Sequence, residues 1–90
     1  MISARQIKAG RALLGRSQQE LADKAIVSVK VIARLETGSV DPRMSTITAV
    51  QHAMHKAGIE FLAADDVCGE GVRLRSPLGP AKTRSRSRRG

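Results

Sequence analysis

Apolar residues recur at intervals of three and four up to Gly58 and at intervals of two beyond it. The first rhythm belongs to helices with one face in a core, the second to strands with one face covered. Ser3 followed by Gln6 is a capping-box pair, Ile7, Leu13 and Leu14 supply an apolar stripe, and Gly15 stands where a helix would stop. These predict a first helix over residues 3–14. Ser17 with Glu20 repeats the device and starts a second helix that runs to about Ala25. Ser28 is placed to cap a third helix over residues 29–36, with Ile32 and Leu35 facing inward and Gly38 closing it. Asp41 before Pro42 breaks the pattern into a loop, because the residue preceding proline is pushed out of the helical region. Ser45 is then the expected cap of a fourth helix, whose inward positions are Ile47, Val50, Met54 and Ala57 and whose stop is Gly58.

Past Gly58, Ile59 and Phe61 flank Glu60, and Val72 and Leu74 alternate with Arg73 and Arg75. Two short strands are expected, at 59–62 and 72–75, joined by a Gly- and Asp-containing loop. A two-stranded ribbon is marginal alone, so it must pack on the fourth helix or pair edge to edge with a second copy. From Ser76 onward, Pro77, Pro80 and an Arg/Ser alternation leave little to bury, which predicts a disordered basic tail. The chain thus divides into a helical domain (1–58), a hairpin extension (59–75) and the tail (76–90).

Composition narrows the picture further. Phe61 is the only aromatic residue, so the core must be aliphatic. The formal charge of +8 is uneven, since Lys82, Arg84, Arg86, Arg88 and Arg89 supply five of the eight and residues 1–76 carry only +3. A basic chain favours polyanionic partners, but a body so close to neutral must be read from its pattern. No stretch approaches the ~20 apolar residues of a membrane span, and residues 1–10 lack the apolar centre of a signal peptide, so a cytoplasmic location is expected. Cys68 is the sole cysteine, which excludes an intrachain disulfide and a cysteine-rich metal site.

The run Ser17-Gln18-Gln19-Glu20-Leu21-Ala22, followed by Val27-Ser28, Ile32-Ala33-Arg34-Leu35-Glu36 and Gly38, resembles the Cro/repressor (XRE) helix-turn-helix family. The likeness covers residues 3–58, and the hairpin ending looks like that of many short bacterial members. It implies an all-α fold of four helices with a short C-terminal β-hairpin, and a transcription regulator that binds double-stranded DNA without a cofactor. It also implies a homodimer, since DNA-binding members commonly dimerise to match two half-sites. In such proteins the third helix enters the major groove while the start of the second touches phosphate. By position, Ser28, Val29, Lys30 and Arg34 would face bases, and Gln18 and Arg43 would meet the backbone. Lys30 or Arg34 would donate to guanine, and Val29 would pack on a thymine methyl group. The resemblance also pairs Arg11 with Glu36, a structural rather than functional contact.

Two features depart from the family pattern. Ile26 occupies the turn position that is usually glycine, where a β-branched residue costs ~1 to 2 kcal/mol if the backbone is left-handed. Val29 and Val31 flank Lys30 on the third helix, where base readers more often carry polar side chains. If Val31 tucks against the second helix, this is an ordinary DNA reader. If Ile26, Val29 and Val31 form an exposed apolar patch, the scaffold would instead grip a protein, as an antiactivator of another transcription regulator or as an antitoxin.

Other chemistry is not supported. His52 and His55 lie three apart on the fourth helix without a third ligand, so they are expected to be solvated and no metal is expected. Asp65 and Asp66 read as turn residues, and Gly69-Glu70-Gly71 neither follows a buried strand nor opens a helix, as a phosphate loop would. With no nucleophile, base and orienter together, the chain is not expected to be an enzyme. The tail would add nonspecific, salt-sensitive phosphate contacts or serve only as a solvated extension.

Overall fold

In the computed structural model, which describes residues 2–38 and 42–76, four helices precede a two-stranded antiparallel hairpin. Helix α1 (Ala4–Leu14) and helix α2 (Gln18–Ala25) each begin with a complete capping box, Ser3 with Gln6 and Ser17 with Glu20. Helix α3 (Val29–Thr37) starts at Ser28, whose hydroxyl accepts from the Val31 amide at 3.2 Å. Helix α3 runs one residue beyond the expected end.

Helix α4 (Met44–Ala57) is capped differently from the expectation. Its N-cap is Arg43, with no side-chain cap hydrogen bond, and Ser45 lies inside the first turn. The first turn closes on the Arg43 carbonyl, which accepts from Thr46 and Ile47 at 3.0 and 3.1 Å. Residues 42–45 are exposed, and at an exposed helix start water can satisfy free amides in place of a capping hydroxyl.

The core is aliphatic, with Ile7, Ile32, Val50, Met54 and Ile59 its largest fully buried side chains. On α1 the buried stripe is Gln6, Ile7, Gly10 and Leu14, whereas Leu13, expected inward, is 43% exposed at the C-terminal end of the helix. Gly10 lets α1 approach α4 closely, since a Cβ there would collide with the end of the Met54 side chain.

Strands β1 (Ile59–Leu62) and β2 (Gly71–Leu74) pair with Ile59 opposite Leu74 and Phe61 opposite Val72. The second strand sits one residue earlier than expected, although the Arg75 amide still donates across to Gly58 at 2.8 Å. Phe61, Val72 and Leu74 pack on the helical core. In the connecting loop the Asp65 carboxylate accepts from the amides of Cys68 and Val67 at 2.7 and 2.8 Å, which closes a tight turn and lowers its pKa. The expected tail lies, beyond Ser76, outside the described residues, as does Asp41.

Candidate nucleic-acid interface

Helices α2 and α3 cross over a shared apolar seam in which Leu21, Ala22, Ala25, Ile32 and Leu35 are buried and Val27 is half-buried. Ala22, fully buried, presents only a methyl group and so permits close approach of the two helices. Between them the backbone reverses at Ile26, which adopts a left-handed conformation (φ 58°, ψ 50°). The amides of Ile26 and Val27 both donate to the Ala22 carbonyl, satisfying the end of α2. Ile26 is the only non-glycine residue with positive φ among the described residues, and its side chain is 90% exposed. A strained residue with almost nothing to bury contributes little to folding. Ile26→Gly is therefore expected to raise the unfolding free energy by about 1 kcal/mol, the relief of left-handed strain less the added flexibility of glycine. Urea denaturation measures this, and a loss of stability would show that the Ile26 side chain makes contacts worth more than the strain.

With Ile32 and Leu35 facing the core, the opposite face of α3 presents Ser28, Val29, Lys30 and Arg34 to solvent. Neither Lys30 nor Arg34 forms an ion pair among the described residues. Val31 is half-buried against the core, so it drops out of the exposed apolar patch and leaves Ile26 and Val29. Arg43 is exposed at the start of α4.

Gln18 is placed less freely. It is half-buried, and its amide nitrogen donates to Glu36 Oε1 at 3.1 Å. Glu36 also receives Arg11 through two nitrogens, at 2.7 and 3.1 Å, while a third nitrogen of Arg11 donates to the Arg16 carbonyl at 3.0 Å. The Glu36 side chain is only 3% exposed. Burial pushes its carboxyl up, but the hydrogen bonds from Arg11 and Gln18, together with the charges of Arg11 and Lys8, outweigh this and hold its pKa below the ordinary value. The cluster locks the end of α3 to α1 and to the start of α2, fixing the angle at which α3 is presented.

A second polar connection was not signalled by the sequence. Gln6, besides completing the α1 capping box, donates from one nitrogen to the carbonyls of Leu62 and Gly71, both at 2.9 Å. Ser3 and Arg5 donate to the Glu70 carboxylate at 2.6 and 3.0 Å. The hairpin is thereby fastened to the first turn of α1.

His52 and His55 are exposed on α4, and no cluster of three or more His, Cys, Asp or Glu suited to a metal occurs among the described residues. No helix among them is long and apolar enough to cross a membrane.

Two helices joined by a tight turn, the second held outward by a buried ion pair, define a scaffold for docking a helix onto a partner. A family model for the helix-turn-helix matches residues 7–57, and the chain belongs to that family, in its Cro/repressor (XRE) form. The family is one of DNA-binding transcription regulators rather than enzymes. No curated protein matches the chain.

Proposed function

We propose that the protein is a cytoplasmic transcription regulator that inserts α3 into the major groove of double-stranded DNA, as a homodimer reading two half-sites. The observation that carries this is the exposed face of α3, where Lys30 and Arg34 are unpaired among the described residues on a helix anchored by buried Ile32 and Leu35. Lys30 and Arg34 donate to guanine edges, Val29 packs on a thymine methyl group and Ser28 lies beside them at the groove edge. Arg43 meets phosphate. Gln18 already gives one N–H to Glu36, so it contributes its second N–H and the backbone amides at the start of α2.

The test is a titration against the promoter DNA flanking its own gene, at two salt concentrations, beside a Lys30→Ala, Arg34→Ala variant. Selective binding is expected to weaken at least about tenfold in the variant, while a competitor of unrelated sequence is bound equally by both proteins. Binding that is nonspecific, and that vanishes when residues 77–90 are removed, would refute the proposal.

A second reading has one observation in its favour. Ile26, strained and 90% exposed beside the exposed Val29, is the kind of residue retained for contact with another protein. In that case the same surface masks another regulator, and Val29→Asp abolishes capture of that partner.

A further inference from the structure

We propose that the face formed by α4 and the outer edge of β1 is where a second copy of this chain docks. This deepens the dimeric part of the proposed function by assigning its interface. The longest run of sequence without Lys, Arg, Asp or Glu extends from Met44 to His55 and is nearly all of α4. Met44, Thr48, Gln51, His52 and His55 recur at three- and four-residue spacing and are all exposed, so they form one uncharged stripe along the helix. Between this stripe and β1 lies an open groove of about 510 Å³, lined by Thr48, Gln51, His52, His55, Glu60 and Phe61.

Charge decides the occupant. Around a twofold axis each surface meets itself, so unpaired cations near the axis would face their own copies, and in a basic chain a face carrying few fixed charges self-associates at the least electrostatic cost. This face is of that kind. Its one carboxylate, Glu60, is held by Arg73 at 2.8 Å, and Arg75 is turned onto the His55 carbonyl at 2.8 Å, so the two arginines beside the groove are already engaged, while Arg43 and Lys56 stand at the ends of the uncharged run. Depletion of charge at the centre, with a polar rim, is the composition of protein interfaces, in which Met and aromatic residues are enriched. Met44 stands 61% exposed on the stripe, and the chain's only aromatic ring, Phe61, lines the groove.

The backbone adds to this. Because Arg75 hydrogen-bonds to Gly58, the antiparallel alternation turns the peptide groups of Phe61 toward the free edge of β1, where a second chain can pair with them. With fourteen residues, α4 spans about 21 Å, long enough for an interface of ordinary size. None of Ser28, Val29, Lys30 or Arg34 lies in the groove, so docking there leaves the exposed face of α3 free.

Sedimentation equilibrium of the full chain, from micromolar to a few hundred micromolar, tests the assignment. The wild type is expected to dimerise reversibly, and Gln51→Arg, which places a cation against its own symmetry mate, to weaken the dimer at least about tenfold. Val67→Lys, at the exposed hairpin tip, serves as the control and should leave the dimer unchanged. Circular dichroism melting confirms that Gln51→Arg, on an exposed position, still folds. A wild type that stays monomeric, or a dimer indifferent to Gln51→Arg, overturns the proposal. Binding of Gln51→Arg to a duplex carrying a single half-site, expected to equal that of wild type, separates failure of the interface from failure of DNA recognition.

Discussion

Arg11→Ala is expected to lower the unfolding free energy by about 3 kcal/mol, and Tm by roughly 15 °C for a domain of this size. The loss comes from what remains rather than from what is removed. Without the guanidinium, the Glu36 carboxylate, 3% exposed in the intact pair, is left with Gln18 as its one side-chain donor among the described residues, and the Arg16 carbonyl loses its Arg11 donor too. A buried charge that keeps only part of its hydrogen bonding is far more costly than an apolar residue in the same place. The double variant Arg11→Met, Glu36→Leu should therefore be more stable than Arg11→Ala alone. The pH dependence has a definite sign. A carboxyl whose pKa is lowered by folding adds stability above its ordinary value and loses that stability as pH falls through the lowered one. The wild type should thus weaken more steeply on acidification than Arg11→Ala, in which Arg11 no longer holds the carboxyl down. Thermal melts across the acid range would decide this. Melts of Arg11→Ala within about 5 °C of wild type at neutral pH would mean that water reaches Glu36 and the pair is only a surface contact.

The Arg11–Glu36 cluster also ties stability to function, because it joins α1, the start of α2 and the end of α3 at one point. In Arg11→Ala the angle of α3 loses the Arg11 part of its polar restraint and keeps only the Gln18 hydrogen bond and the apolar anchoring of Ile32 and Leu35, so selective DNA binding should fall even at temperatures where the variant is folded. Alanine at Lys30 and Arg34, by contrast, should reduce binding with little change in stability, since both are exposed.

What was legible in the sequence was mostly what is local. Capping boxes, glycine stops and apolar spacing act within one turn, and they place all four helices and both strands to within a residue or two. Ile26 shows the same locality, since the missing glycine at the turn gives a left-handed backbone on a β-branched residue. The misplacements arise where a local signal competes with a global one. Ser45 has the chemistry of a cap, but burial of Ile47 and Val50 fixes the start of α4 earlier. Leu13 is apolar, yet it lies on the edge of the α1 stripe and beyond the reach of the core. For Val31 the sequence leaves two placements open, tucked inward or part of an outward patch, and the side chain packs half-buried against the core. Contacts such as Gln18 with Glu36 depend on how helices meet, and no spacing rule announces them.

Gln6 carries this furthest, because its partners lie 56 and 65 residues away and its role was legible only as a helix cap. Gln6→Leu is expected to destabilise the protein by about 2 to 3 kcal/mol, since a side chain of similar size would leave the half-buried Ser3 amide and the carbonyls of Leu62 and Gly71 facing hydrocarbon. The damage should also be uneven. The side chain is 5% exposed at the junction of α1 with both strands, and the other polar link there, Ser3 and Arg5 to Glu70, involves an arginine on the surface that contributes little. With Gln6 gone, the hairpin keeps its apolar contacts with the core and the more exposed links from Glu70 to Ser3 and Arg5 and from Arg75 to His55, and a two-stranded ribbon so held opens more readily than the helices beneath it. Hydrogen exchange would show this as lost protection in residues 59–62 and 71–74, with α2 and α3 still protected. The same opening would disrupt the edge of β1, so Gln6→Leu should weaken self-association while single half-site binding persists. Equal loss of protection in hairpin and helices would mean that Gln6 stabilises the fold as a whole and is not the hairpin's anchor.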